Sequence, residues 1–287
     1  MLNVPQVDIP EPAWVDVPGR GRLWVTDTGA PAERPEAPTI ILLHAVGCTG
    51  MLTWFPVVAD LAERYRVVTF DQRWHGQGIA SEEFALRDCA DDVAALIDTL
   101  GLDRPILAGY SMGGLVAQRV WRQHPRTVGG LVLAATSDHF RGHGHEVVFH
   151  QGVQMTMSCL RGFSTGRIRR AAAARVRRSV ETSTSPVNRW ALNQWRATRP
   201  WALGHALAAI GRHSSRRWLD QVDVPTAVVV TARDHLIPPS RQRAMAARIP
   251  DASVHETACG HAGCVLQSET FNPVLLAAVD DVASRLP

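Results

Sequence analysis

The chain holds 287 residues, 46% of them hydrophobic and 20% charged, with a formal net charge of +3; that balance excludes disordered, collagen-like and coiled-coil classes. A chain this long buries roughly 75% of the surface its unfolded form exposes, so neither disulfide staples nor a structural metal is needed to hold a core. All 30 basic residues are Arg, which excludes mechanisms built on a lysine Schiff base or a P-loop lysine.

The amino-terminal stretch MLNVPQVDIPEPAW lacks the basic start and apolar run of a signal peptide, and no apolar run reaches the roughly 18 residues of a membrane span. The expected location is the cytoplasm. Five cysteines at irregular spacing, Cys48, Cys89, Cys159, Cys259 and Cys264, agree with reduced thiols rather than a disulfide framework. Cys259 and Cys264 flank His261, and His143 lies near His145, but neither pair has companions at zinc spacing, so no metal is expected.

Two short alternating stretches in 14–27, separated by Pro-Gly-Arg-Gly, predict an antiparallel hairpin. Residues 39–47, 65–71, 104–111 and 129–136 are continuous apolar runs bounded by turn residues, the pattern of strands buried on both faces of a parallel sheet. Helical periodicity fills the gaps at 51–64, 85–100 and 115–124. Later come a strand at 224–234, a helix at 240–248, a strand at 253–258 and a helix at 273–286 with Pro273 in its first turn. Alternating strands and helices predict an α/β fold with a mostly parallel, doubly wound sheet.

Residues 137–218 interrupt that alternation and carry 14 Arg against Asp138, Glu146 and Glu181. The predicted organisation is therefore a core domain formed by 1–136 and 219–287, with 137–218 inserted as an Arg-rich helical cap. Its centre, 167–178, reads as a helix with Arg167, Arg170, Arg175, Arg177 and Arg178 on one arc. That arc is either a solvated face or a surface for an anionic ligand or membrane. No nucleic-acid-binding motif accompanies it, so no nucleic-acid partner is expected.

Gly109-Tyr110-Ser111-Met112-Gly113 fits G-x-S-x-G, after a predicted strand and at the opening of a predicted helix. A sharp strand-to-helix turn of that kind lifts a serine hydroxyl out of the sheet. The bland alternative makes Ser111 an N-cap. A nucleophilic serine needs a histidine to take its proton, and the histidine needs an acid to fix its tautomer. His261 lies in the loop after the last strand, and Asp234 follows the 224–234 strand at the carboxyl edge of the sheet. Asp138, after the 129–136 strand, is the competing acid.

With these motifs the chain resembles the α/β-hydrolase superfamily, in its serine-nucleophile esterase- and lipase-like and non-haem haloperoxidase-like branch. The likeness runs through the 39–47 strand into His44-Ala45-Val46, the turn Asp71-Gln72-Arg73-Trp74-His75-Gly76-Gln77-Gly78, the Ser111 motif, and the loops of Asp234 and His261. It implies a Ser111–His261–Asp234 triad and an oxyanion hole made by the Val46 and Met112 N–H groups. It departs at Ala45, which stands where the pattern has Gly; a positive φ there would strain Ala by roughly 1 kcal/mol and shift the Val46 N–H. Asp71 reads as a turn-stabilising residue.

The implied chemistry is hydrolysis of a carboxylic ester through an acyl-enzyme, with a small-molecule acyl substrate and no cofactor. Phe149, Met155, Met157, Leu160, Trp190, Trp195 and Trp201 make the cap apolar inside, which suits a hydrophobic acyl or alkyl group. His44, Tyr110, Met155 and Trp190 are the expected pocket residues. Alternatives are a thioesterase or acyltransferase for phosphate-bearing acyl thioesters, drawn by the cap arginines, and a ligand receptor that keeps the triad with little turnover.

Overall fold

The computed structural model describes residues 10–140, 190, 194, 198 and 200–287. Most of the expected cap, including Met155 and the 167–178 helix, lies outside the described residues, as do His143 and His145.

Among the described residues, β1 (Ala13–Val17) and β2 (Gly21–Asp27) form the amino-terminal hairpin, with Trp14 opposite Trp24. β3 (Thr39–Leu43), β4 (Arg66–Phe70), β5 (Ile106–Tyr110), β6 (Gly130–Ala134), β7 (Thr226–Thr231) and β8 (Ser253–Thr257) follow. They make one eight-stranded sheet in the order β1-β2-β4-β3-β5-β6-β7-β8. β1 and β2, and β2 and β4, pair antiparallel; the remaining pairs are parallel. The fold is thus α/β with a mostly parallel sheet, as the strand–helix alternation predicts.

The described helices are α1 (Gly50–Trp54), α2 (Val58–Ala62), α3 (Leu86–Thr99), α4 (Met112–Gln123), α5 (Pro200–Arg212), α6 (Pro239–Ala246), α7 (Gly263–Leu266) and α8 (Ser268–Ser284). They cover both faces of the sheet because successive strand residues point opposite ways. Ile41, Leu43 and Leu107 face α3, α4, α5 and α6, whereas Ile40, Leu42 and Ile106 face α1, α2 and α8. That double burial is why the central strands are apolar without alternation.

Two helices depart from the sequence reading. The expected 51–64 helix is two short helices, α1 and α2, divided at Phe55-Pro56; Phe55 keeps helical dihedrals, but proline has no N–H to donate to Leu52, so the ladder breaks there. The last helix begins at Ser268, so Pro273 lies inside it instead of in its first turn. The backbone bond that Pro273 cannot make would fall on Glu269, an exposed residue where water can replace it. No helix among the described residues is long and apolar enough to cross a membrane.

The turn motif at 71–78 is bolted to α3. Arg73 makes two hydrogen bonds to Asp92, 2.8 Å from Nε and 2.7 Å from Nη2, and Arg20 of the β1–β2 turn joins the same carboxylate at 2.7 Å. Asp92 is 1% exposed, so this is a buried ion cluster whose charges must stay paired.

Candidate active site

Ser111 sits between β5 and α4 with φ 52 and ψ −112, the geometry of the first central residue of a type II′ turn, which glycine adopts far more readily than serine. The neighbouring glycines allow the sharp turn. A Cβ at Gly113 would lie 2.0 Å from the Leu43 carbonyl oxygen, so the start of α4 packs directly on the end of β3. The Ser111 N–H donates to the Ala134 carbonyl at 2.9 Å, and the Thr136 hydroxyl donates to the Ser111 carbonyl at 2.8 Å. Both ends of the strained residue are therefore held from the end of β6 and the loop that follows it. The Ser111 side chain makes no capping bond to α4, which removes the N-cap reading.

Instead, Ser111 Oγ lies 3.1 Å from His261 Nε2, and His261 Nδ1 lies 2.7 Å from Asp234 Oδ2. The three side chains form one continuous chain although 150 residues separate the first from the last. With Nδ1–H donated to the carboxylate, Nε2 is free to accept a proton from Ser111. The His261 loop is tied down at its carbonyl by the Tyr110 hydroxyl, 2.7 Å away, and at Gly260 N–H by Gln267 Oε1, 2.9 Å away.

Asp234 is buried and saturated with donors. Its Oδ1 accepts the Leu236 and Ile237 N–H groups, both at 2.8 Å, and its Oδ2 accepts the Thr231 hydroxyl at 2.9 Å in addition to His261. Burial pushes its carboxyl up, but the bond and charge of His261, with help from Ile237 and Thr231, outweigh that and hold it below the usual carboxylate value. Gln242 of α6 accepts the Thr231 N–H at 3.1 Å and donates to the Ile237 carbonyl at 2.7 Å, bracing the same loop. Sequence reasoning missed Thr231 and Gln242. Neither lies in a motif, and only the fold brings α6 over the end of β7.

Asp138, the competing acid, is committed elsewhere. It bonds the adjacent His139 at 2.5 Å and pairs with Arg248 at 3.1 Å. Asp71 spends its two oxygens on the Gly50 and Gln77 N–H groups, 2.9 Å each, in the turn-holding role expected of it.

The expected oxyanion donors are the N–H groups of Met112, which follows the serine, and Val46. Met112 is the first residue of α4, where an N–H has no partner within the helix. Val46 lies in a tight turn closed by Cys48 N–H on the Ala45 carbonyl at 3.2 Å. The positive φ of that turn, 78°, belongs to Gly47, and Ala45 is not among the residues with positive φ. The strain expected at Ala45 is therefore absent, because the turn places its left-handed residue two positions later.

Two expected pocket residues are corrected. His44 is fully buried, donates Nδ1–H to the Ala45 carbonyl and accepts the Gln72 N–H on Nε2, each at 2.8 Å, so no ring nitrogen remains for a ligand. Burial lowers it to about 4, keeping it neutral. Tyr110 is 1% exposed and packs edge-on against Trp54 and Phe271 on the opposite face from Ser111, as strand alternation requires. Its hydroxyl positions the His261 loop. Trp190 does reach the core, edge-on to Phe55 with centroids 5.2 Å apart. Gln194 accepts the Thr49 hydroxyl at 2.7 Å, and Thr198 accepts the Gly76 N–H at 3.3 Å. These contacts, made by residues four apart, land on the α1–α2 junction and on the loops after β3 and β4. Met155 lies outside the described residues.

Residues 38–267 match the family described as alpha/beta hydrolase fold. A relative from Serratia proteamaculans named "Putative carbamate hydrolase RutD" is 26% identical over 260 residues, 85% of this chain and 91% of its own. The 3-oxoadipate enol-lactonase 1 of Acinetobacter baylyi is 42% identical over 84 residues, 29% of this chain and 31% of its own. Among solved structures, a thermophilic esterase from Thermogutta terrifontis superposes with a TM-score of 0.72 at 22% identity, covering 96% of this chain and 100% of that one.

Proposed function

Since the chain belongs to the alpha/beta hydrolase fold family, we propose that it is a serine hydrolase cleaving a carboxylic ester with a hydrophobic acyl or alkyl group through an acyl-enzyme on Ser111. The observation that carries this reading is the unbroken chain Ser111 Oγ, His261 Nε2, His261 Nδ1, Asp234 Oδ2, with links of 3.1 and 2.7 Å.

Ser111 Oγ attacks the ester carbonyl carbon while His261 Nε2 takes the hydroxyl proton. Asp234 holds the ring in the reactive tautomer and steadies its positive charge. The carbonyl oxygen becomes an oxyanion facing the Val46 and Met112 N–H groups, and one such donor is worth about 10² to 10³ in turnover. The tetrahedral centre collapses, the alcohol leaves with the proton from His261, and water repeats the sequence to release the acid and restore Ser111. Strain at Ser111 keeps the hydroxyl out of a helix-capping role and available to the carbonyl.

A carbamate or lactone carbonyl is the second reading, favoured by the similarity over 85% of the chain to a relative named for carbamate hydrolysis. It needs the same nucleophile, base and oxyanion donors and differs in the leaving group. The test is turnover of chromogenic esters from short to long acyl chains, beside a carbamate, an enol-lactone and acyl-CoA thioesters. The expected result is ester turnover abolished in Ser111→Ala and lowered about 10³- to 10⁴-fold in Asp234→Asn, which leaves the ring in the wrong tautomer. Multiple turnover by Ser111→Ala would overturn the assignment, and faster carbamate or lactone cleavage would replace the ester by that class.

A further inference from the structure

Away from Ser111, a small cleft opens where α3, α4 and α5 meet. It holds about 130 Å³ and is lined by Ala85, Leu86, Arg87, Arg119, Arg212 and His213 among others. A volume well below the roughly 300 Å³ of a small-molecule pocket suits a compact ion. We propose that this cleft is an anion site that takes a phosphate-class oxyanion at the N-terminus of α3. It stands whether or not Ser111 is a nucleophile.

Positive charge predominates, offset by Asp88 in the first turn of α3. Arg87 contacts Asp88 at 3.5 Å through a side chain that is 72% exposed, but no carboxylate among the described residues pairs with Arg119 or Arg212. Arg119 is half-buried, and burial together with the neighbouring Arg87 guanidinium pushes it below its ordinary value. A guanidinium held in that setting gains more from a bound anion than an exposed one does.

His213 supplies the independent observation. It is 3% exposed, and Arg119 Nε donates to its Nδ1 at 3.4 Å. Accepting on Nδ1 leaves Nε2 carrying the hydrogen in the neutral ring. That Nε2 is buried and has no partner among the described residues, an unmade donor bond of the kind proteins rarely leave open. Burial and the Arg119 charge lower His213 to about 3, so the ring remains neutral and still offers its N–H.

The helix adds two more donors. The N-cap of α3 is Ala85, which has no side-chain acceptor, and no side chain caps the helix. Asp88 and Cys89 N–H bond the Ala85 carbonyl, so the Leu86 and Arg87 N–H groups have no partner within the helix. Uncapped N–H groups and the positive end of the helix dipole favour an oxyanion. Donors thus come from α3, from Arg119 on α4, from Arg212 in the last turn of α5 and from His213 beyond it. Convergence from several directions matches a tetrahedral phosphate better than a planar carboxylate. Arg119 lies eight residues beyond Ser111, about 12 Å along α4, so this is not the acyl-binding side of the serine.

The test titrates the full chain with inorganic phosphate and, separately, glycerol phosphate, at constant ionic strength maintained with chloride. Heat of binding and the His213 ring resonances are the readouts. Expected are saturable millimolar binding, a shift of the His213 resonances, and about tenfold weaker binding in Arg119→Gln and in Arg212→Gln. Arg212 is exposed, so that variant reports even if Arg119→Gln fails to fold. Tighter binding of the inorganic ion supports a free-anion site, and tighter binding of the ester supports a site for a phosphate-bearing molecule. Phosphate binding that leaves the His213 ring unmoved and is equal in the folded variants would place the ion on other arginines and overturn the proposal. Equal saturation by acetate would overturn the phosphate assignment.

Discussion

Ser111 concentrates a conflict between stability and chemistry. A serine at φ 52 and ψ −112 carries strain of about 1 to 3 kcal/mol, held by the bonds to Ala134 and Thr136. Glycine relieves that strain, although its greater freedom in the unfolded chain returns about 0.5 to 1 kcal/mol. Alanine relieves nothing and loses the contact with His261. Ser111→Gly is therefore expected to melt above Ser111→Ala, by about 1 kcal/mol in unfolding free energy, while both lack ester turnover. A lower melting temperature for the glycine variant in calorimetry would show that the turn is not strained in solution. Tyr110, one residue earlier, shows how narrow the placement is. The same strand that presents Ser111 to the site turns Tyr110 into the opposite core, where its hydroxyl donates to the His261 carbonyl.

The turn depends on two elements meeting at backbone distance, and the start of α4 lies against the end of β3 at Gly113. A methyl group there would lie 2.0 Å from the Leu43 carbonyl oxygen and 3.0 Å from that of His44. Neither backbone atom can swing aside as a side chain would. Gly113→Ala should destabilise the fold by about 1 to 3 kcal/mol. Any relief moves His44-Ala45-Val46, so it should also lower kcat more than it raises KM. Urea unfolding with steady-state kinetics checks both; an unchanged midpoint would mean that β3 and α4 separate at no cost. This contact explains what was legible in the sequence. The apolar runs of β3 through β7 exposed the sheet because burial on both faces leaves no room for polar residues. G-x-S-x-G marked the turn because only small residues fit it. The division of α1 from α2 was written in Pro56 but masked by the helical periodicity around it. α7 was invisible, since four residues show no period. The pocket role given to His44 failed because a residue at a strand end can serve the backbone on either side. The loop-bracing role of Gln242 leaves no local trace, as it depends on which helix packs over β7.

At the scale of the whole molecule, the three histidines buried among the described residues, His44, His75 and His213, set the response to acid. Burial lowers His44 to about 4, and His75 and His213 to about 3, with the His44 charge adding to the effect on His75 and Arg119 to that on His213. In the unfolded chain each takes up a proton as the pH falls through about 6.5. The folded chain resists until about pH 4 or 3, so between those values the unfolded state binds more protons and stability falls with pH. Each ring contributes up to about 1.4 kcal/mol per pH unit across that window and nothing above it. Asp234 adds a term in the same direction lower down, since its carboxyl is held below the usual value and its contribution disappears only as that group protonates. Asp71 opposes it, because burial raises its carboxyl despite the Gln77 and Gly50 bonds. The urea midpoint is expected to stay level from pH 8 to about 7 and to fall steeply from about 6.5 towards 4.5. His75→Asn, which retains a donor for the Arg73 carbonyl, should reduce that slope by about a third, one ring of three. A midpoint unchanged down to pH 5 would show that the rings are open to water. In that case His44 could not act as the neutral bolt between β3 and the turn after β4.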